Sequence, residues 1–189
     1  AALLVGGSAG ALSGYYGGWI DMFFMRLLDV MLAFPGILLV LAIINGTGPG
    51  IKGVITAIGI SSIPPFARVA RGSVLATKES DYITAAKATG EKSVSIIIRY
   101  IIPNSIQPII ALTFLRMATI IIMASAISFL GFGIQPPTPE WGLMLSQAQK
   151  YLRIAPYMSI FPGLAIIIVV LGFNLLGDSL RDAMDPKLK

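Results

Sequence analysis

Long apolar runs dominate the chain, with polar residues gathered between them. Five runs carry no Asp, Glu, Lys or Arg: Ala1–Ile20, Val30–Ile51, Gly53–Ala67, Met117–Pro139 and Ile154–Gly177. A helix needs roughly 20 mostly apolar residues to cross the hydrocarbon core of a bilayer. Trimmed at their Gly and Pro signals, the runs predict five membrane-spanning helices over 1–16, 29–46, 51–69, 105–131 and 157–178. Pro64-Pro65 predicts a bent or broken end to the third of these, because a proline ring clashes with the preceding helical turn. The pattern defines an all-α, polytopic membrane protein of about five spans.

Two polar stretches interrupt the spans. The first, taken as a loop over 70–103, begins its ordered part at Glu79 and Asp81, acids that suit the first turn of a helix. Tyr82, Ala85, Ala86 and Thr89 then recur at i, i+3, i+4 and i+7, which predicts a short helix with one small-residue face. Gly90 suits a left-handed C-cap. Ser93 is placed to cap a second short helix, with Val94, Ile97, Ile98 and Ile101 as its apolar stripe and Pro103 closing it. The second polar stretch, 132–156, contains Pro136, Pro137 and Pro139, which exclude a regular helix there. Trp141–Arg153 after it reads as a short surface helix with Trp141 and Tyr151 at the interface.

Composition narrows the class. The chain of 189 residues is 56% hydrophobic and only 12% charged, with a mean hydropathy of +0.83; soluble domains carry about 25% charged residues. With no Cys and no His, disulfides, thiolate metal sites, a cysteine nucleophile and the commonest general base are all excluded. The net charge of +5 is not a nucleic-acid signal, because the basic residues sit in short segments between apolar runs. Ala1 already lies inside an apolar stretch, so the natural N-terminus is expected to lie upstream.

The placement of charge orients the chain. Arg68, Arg71, Lys78, Lys87, Lys92 and Arg99 lie between the third and fourth spans, and Arg181, Lys187 and Lys189 follow the last. The positive-inside rule puts both segments in the cytoplasm. Five spans then also place Arg26 inside and leave Lys52, Lys150 and Arg153 outside. Gly6, Gly10, Gly14 and Gly18 repeat every fourth residue, a groove that allows close helix packing.

Several strings are similar to those of a known family. Thr84-Ala85-Ala86, Gly90 and Ile102-Pro103 resemble the Glu-Ala-Ala loop of permease subunits of binding-protein-dependent ABC importers, with Thr84 in place of the motif's Glu and Tyr100 where Ile is common. Phe129–Gly142, Phe161–Ala165 and Asn174–Pro186 resemble segments of peptide and nickel importers, in particular the second permease subunit of that class. The resemblance covers nearly the whole chain and implies a single type I transmembrane domain. The family fold has six spans, so an N-terminal span and cytoplasmic segment are expected beyond this sequence.

The same resemblance implies a chain with no catalytic residues, metal site or cofactor of its own. It implies pairing with a second permease subunit in a pseudo-symmetric heterodimer, in the inner membrane of a bacterial or archaeal cell. Two ATPase subunits are expected to bind ATP and Mg²⁺ below, and an extracytoplasmic binding protein to deliver substrate above. The implied coupling contact with the ATPase comprises Asp81, Thr84, Ala85, Ala86, Lys87 and Gly90, with Pro103 ending the second short helix. The expected cargo is di- or oligopeptides; nickel or another small solute is the alternative.

Arg116, the one basic residue placed well inside a span, is an expected translocation-path residue, since intramembrane charges are costly and mark function. It faces three readings: a substrate carboxylate, a carboxylate on the partner subunit, or snorkelling to the interface. Arg26 and Asp29 have the spacing of a local pair. An intramembrane enzyme fits poorly, because every acid falls at a loop or span end. An ion-coupled secondary transporter is a more distant alternative, since no acid lies inside a span to carry a proton.

Overall fold

A computed structural model of the chain describes residues 1–184. Ten α-helices follow in order: α1 (Ala2–Tyr16), α2 (Gly18–Ala33), α3 (Gly36–Thr47), α4 (Ile51–Ser61), α5 (Ile63–Lys78), α6 (Asp81–Ala88), α7 (Ser93–Ile96), α8 (Ile102–Phe129), α9 (Trp141–Ala148) and α10 (Tyr157–Met184). A π-helical segment, Ile97–Ile101, joins α7 to α8. Among the described residues there is no strand. Pro186, Lys187 and Lys189 lie outside the described residues.

Three helical stretches are long and apolar enough to cross a membrane: Ile51–Lys78, Ser93–Phe129 and Tyr157–Met184. A fourth is added if α2 and α3 count as one broken span. The boundaries of the expected spans are therefore redrawn. The helix expected over 29–46 is interrupted at Phe34-Pro35, because proline offers no N–H and keeps the residue before it out of the helical region. The 15 residues of α1 measure about 22 Å along the axis, short of a bilayer core of about 30 Å. Pro64-Pro65 does not end a helix but starts one. Both prolines sit in the first turn of α5, where the missing N–H groups have no intrahelical partner to lose.

The chain divides into two compact units. The first comprises, of the described residues, Ala1–Ala33, Ser62–Thr113 and 180–184; the second comprises Phe34–Ser61 and Phe114–Ser179.

In the first unit α1 lies directly on α5. A Cβ on Gly6 would stand 2.5 Å from the Ile63 carbonyl oxygen, one on Gly14 would stand 2.9 Å from that of Arg71, and one on Gly10 would meet the Ala67 backbone. Three of the four expected glycines thus make an intramolecular helix contact. Gly18 does not: it begins α2, with nothing near its Cβ position.

Charges tie α2 to the same pair. The Arg71 guanidinium donates through Nε to Asp21 Oδ1 and through Nη2 to Oδ2, both at 2.6 Å, and Ser13 Oγ donates to Asp21 Oδ1 at 2.5 Å. Arg68 Nη2 pairs with Asp29 Oδ1 at 2.6 Å. The expected Arg26–Asp29 pair is absent among the described residues, because Arg68, 39 positions away, holds Asp29 instead. Side-chain exposure separates the two bridges: 34% and 18% for Arg71–Asp21, against 54% and 49% for Arg68–Asp29. Asp21→Asn is therefore expected to destabilise the unit by about 1–2 kcal/mol, and Asp29→Asn by less than about 1 kcal/mol. Thermal unfolding of the detergent-solubilised chain checks the order of the two.

In the second unit Val40 and Ile44 of α3, Val54, Ala57 and Ile58 of α4, and Ile127 of α8 form a buried apolar core. Gly131, at φ +87°, ends α8. The following turn folds back on α8: Gly133 packs on Ser128, and the Ile134 N–H donates to Ser128 Oγ at 3.3 Å. Glu140 caps α9 by accepting from the Leu143 N–H at 2.8 Å, and Gly142 seats α9 against the Ser125 backbone. The expected surface helix over Trp141–Arg153 is shorter, α9 plus a 3₁₀ turn at Gln149–Tyr151, with Trp141 and Tyr151 exposed.

Candidate coupling site and partner-facing residues

Helix α6 forms where the small-residue periodicity places it. Ser80 precedes it in an extended conformation, and Asp81 lies in its first turn. Thr89 follows, and Gly90 takes φ +80°, the left-handed conformation expected of it. The Gly90 N–H donates to the Lys87 carbonyl at 3.0 Å and the Glu91 N–H to the Ala86 carbonyl at 3.2 Å, so both strands of the corner are tied to α6. A Cβ at Gly90 would meet nothing within 4 Å. Gly90→Val is thus expected to cost about 1–2 kcal/mol through backbone strain alone. Gly90→Asn, which tolerates this region better, is expected to cost less; the corner's protection from amide hydrogen exchange measures both.

The two faces of α6 differ. Ile83 is fully buried and Ala86 is 8% exposed; both pack with Tyr15 of α1, Val74 of α5, Ile96 of α7 and Ile101 of the π segment. Asp81, Thr84, Ala85 and Ala88, at i, i+3, i+4 and i+7, are exposed on the opposite side, with Lys87 and Gly90 also exposed. Of the residues in the expected contact set, Ala86 is the buried one on α6. Ala86 belongs to the internal face, where a small side chain lets α6 lie close to its support.

Pro103 does not close the second short helix. The helix runs without interruption from Ser93 to Phe129. The Ile102 N–H reaches back five residues to the Ile97 carbonyl, the wider π pattern. That extra residue moves the preceding turn away from the proline ring, which would otherwise collide with the carbonyl four residues earlier. Asn104 Nδ2 donates to the Tyr100 carbonyl at 2.6 Å. Ser93 is the first helical residue rather than the cap, which is Lys92, and makes no capping hydrogen bond. Of the expected apolar stripe, Ile101 is buried, whereas Val94 and Ile98 are each 62% exposed. Ile96, outside the expected stripe, takes the inner position.

Two hydrogen bonds fasten α5 beside this platform. Lys78 Nζ donates to the Tyr15 carbonyl at 2.6 Å and lies over the Tyr15 ring, and the hydroxyls of Thr77 and Ser105 are 3.2 Å apart. Neither Lys78 nor Thr77 stands out in the sequence. The position of Lys78 at the last turn of α5 is the only signal that marks it.

Arg116 lies within α8, in the second unit, half-buried. Among the described residues it makes no ion pair and no side-chain hydrogen bond. No cluster of potential metal ligands occurs among the described residues.

An all-α membrane protein with several candidate spans and a buttressed helix between two of them is the architecture at hand, and comparison with known proteins identifies its class. Residues 6–189 match the family described as the binding-protein-dependent transport system inner membrane component. The chain belongs to that family. It is 48% identical over 188 residues to the dipeptide transport system permease protein DppC of Alkalihalophilus pseudofirmus, covering 100% of this chain and 62% of the relative. It is 49% identical over 187 residues to the glutathione transport system permease protein GsiD of Pectobacterium atrosepticum, covering 99% of this chain and 62% of the relative. The chain thus spans about three fifths of the length of these relatives. Its fold is similar to that of the MetNI methionine ABC transporter in an inward-facing conformation, with a TM-score of 0.70 at 17% identity, over 97% of this chain and 91% of that one.

Proposed function

We propose that this chain is a membrane-spanning permease subunit of an ATP-driven importer of peptides. It forms half of the translocation path beside a second permease subunit and does no covalent chemistry. Two ATPase subunits bind and hydrolyse MgATP, and an extracytoplasmic binding protein delivers the cargo. The basic residues around α6 favour a cytoplasmic position for that helix and for the C-terminus. The names of the dipeptide and glutathione relatives support peptides over nickel.

The observation that carries the coupling role is the two-faced seating of α6. Ile83 and Ala86 anchor it to α1, α5 and the Ile96–Ile101 turn, while Asp81, Thr84, Ala85, Lys87 and Gly90 remain open to a partner. Small side chains on the open face let a cleft in the ATPase close around the helix. Displacement of α6 then moves its buried partners with it, because a close-packed interior transmits displacement rather than absorbing it. Pro103 contributes by position, at the junction where the π segment passes into α8. In this reading Arg116 lines the path.

Purification of the full-length chain in its native membrane tests this reading. Co-purification of an ATPase and a second permease subunit, with uptake of a labelled dipeptide that needs both ATP and the binding protein, is expected. A chain that purifies alone and conducts ions without ATP would sink it.

A further inference from the structure

Resting on the peptide-importer reading, we propose that Arg116 is a carboxylate-binding subsite of the translocation path, which takes the terminal carboxylate of a passing peptide. Three observations on α8 carry this. First, Arg116 shares a helix face with Ile120, Met123 and Ile127, at i, i+4, i+7 and i+11. Ile127 is part of the buried core formed with α3 and α4, and Ile120 and Met123 pack against that core. Arg116 therefore stands one turn beyond an internal contact, on the protein-facing side of α8.

Second, it lies about 20 Å of helix from either end of α8, at 1.5 Å per residue. Its charge is therefore carried in the middle of that segment, where an intramembrane cation is costly and marks function. Third, it is half-buried and, among the described residues, unpaired. The described acids of its own unit are Glu140, which caps α9, and Asp178, exposed on α10. A guanidinium held inside a span without a counter-ion of its own suits an anion that arrives and leaves. Its planar fork binds a carboxylate bidentately.

The test uses the assembled transporter in proteoliposomes, with a dipeptide and its C-terminal amide as cargo. Both are supplied at concentrations that saturate the binding protein, so that only the transport step is compared. Arg116→Gln is expected to lower the wild-type preference for the free acid over the amide by about tenfold, equivalent to about 1.4 kcal/mol. Arg116→Lys is expected to keep most of the preference, because it keeps the charge. Equal loss for acid and amide, or an unchanged preference, would overturn the subsite. Loss of the second permease subunit from purified Arg116→Gln complexes would also overturn it, in favour of a carboxylate on that subunit. A wild-type complex that carries no peptide but couples ATP hydrolysis to another solute would instead sink the peptide-importer reading.

Discussion

Replacing Ala85 by tryptophan is expected to leave the chain folded in the membrane and to reduce ATP-driven uptake to background. Ala85 is exposed on α6, and its side chain is not among those that pack with Tyr15, Val74, Ile96 and Ile101. Exposed substitutions away from packed groups usually change stability by no more than about 0.5 kcal/mol. A bulky ring in the middle of the Asp81–Thr84–Ala85–Ala88 face would, however, hold the ATPase cleft open. The effect should be local to that face. Ala86→Trp, one residue on, is expected to fail for a different reason: it overpacks the core beneath α6, and the chain itself becomes unstable. Uptake with parallel measurement of folded protein separates the two. If Ala85→Trp transports normally, the open face of α6 is not a coupling surface.

The second large effect belongs to the α1–α5 contact. Gly10→Leu is expected to destabilise the chain by about 3 kcal/mol or more, since overpacking typically costs about 1–3 kcal/mol and here the obstruction is backbone. At Gly10 even a methyl group would collide with the carbonyl oxygen and Cα of Ala67, and no side-chain rotation can relieve that. Separating the helices would also pull Tyr15 and Val74 apart and unseat α6. Gly7, one position from the contact on the helix surface, provides the comparison: a Cβ there meets nothing within 4 Å. Gly7→Ala is expected to be neutral, or stabilising by up to about 1 kcal/mol, because alanine loses less backbone entropy in a helix. Thermal unfolding in detergent decides whether the glycine row acts through close approach at Gly6, Gly10 and Gly14 or only through flexibility.

The site is more legible in the sequence than the spans. The left-handed corner at Gly90 is set by residue type, and the length of α6 by the small-residue period before it. The orientation of α6 is only half legible. Ala85 and Ala86 are the same residue, so size does not tell the open face from the seated one. Ile83 is the available signal, since an apolar residue three positions before Ala86 sets the phase of the buried side.

The spans are harder to read because tertiary contacts override local rules. Asp21 falls between the first two expected spans and Asp29 at the start of the second, yet both lie within one helix, α2, where Arg71 and Arg68, 50 and 39 residues distant, pair with them. The same two arginines mark the end of the third span, whereas α5 continues to Lys78. Pro103 marks a helix end, and a single π turn carries the helix through it. None of these three outcomes is encoded within one local window.

The absence of cysteine from the chain allows the coupling role of α6 to be tested directly. A single cysteine is introduced at Ala85 in the assembled transporter, labelled with a maleimide-benzophenone and irradiated, so that the excited ketone inserts into a C–H bond of whatever chain lies against it; Ile168→Cys on the exposed apolar face of α10 is the control. A coupling helix predicts an adduct between Ala85→Cys and the ATPase subunit, with a yield that changes on ATP binding, and none from Ile168→Cys. An Ala85→Cys chain that reacts freely with a small maleimide yet forms no adduct with the ATPase, with or without nucleotide, would contradict that role.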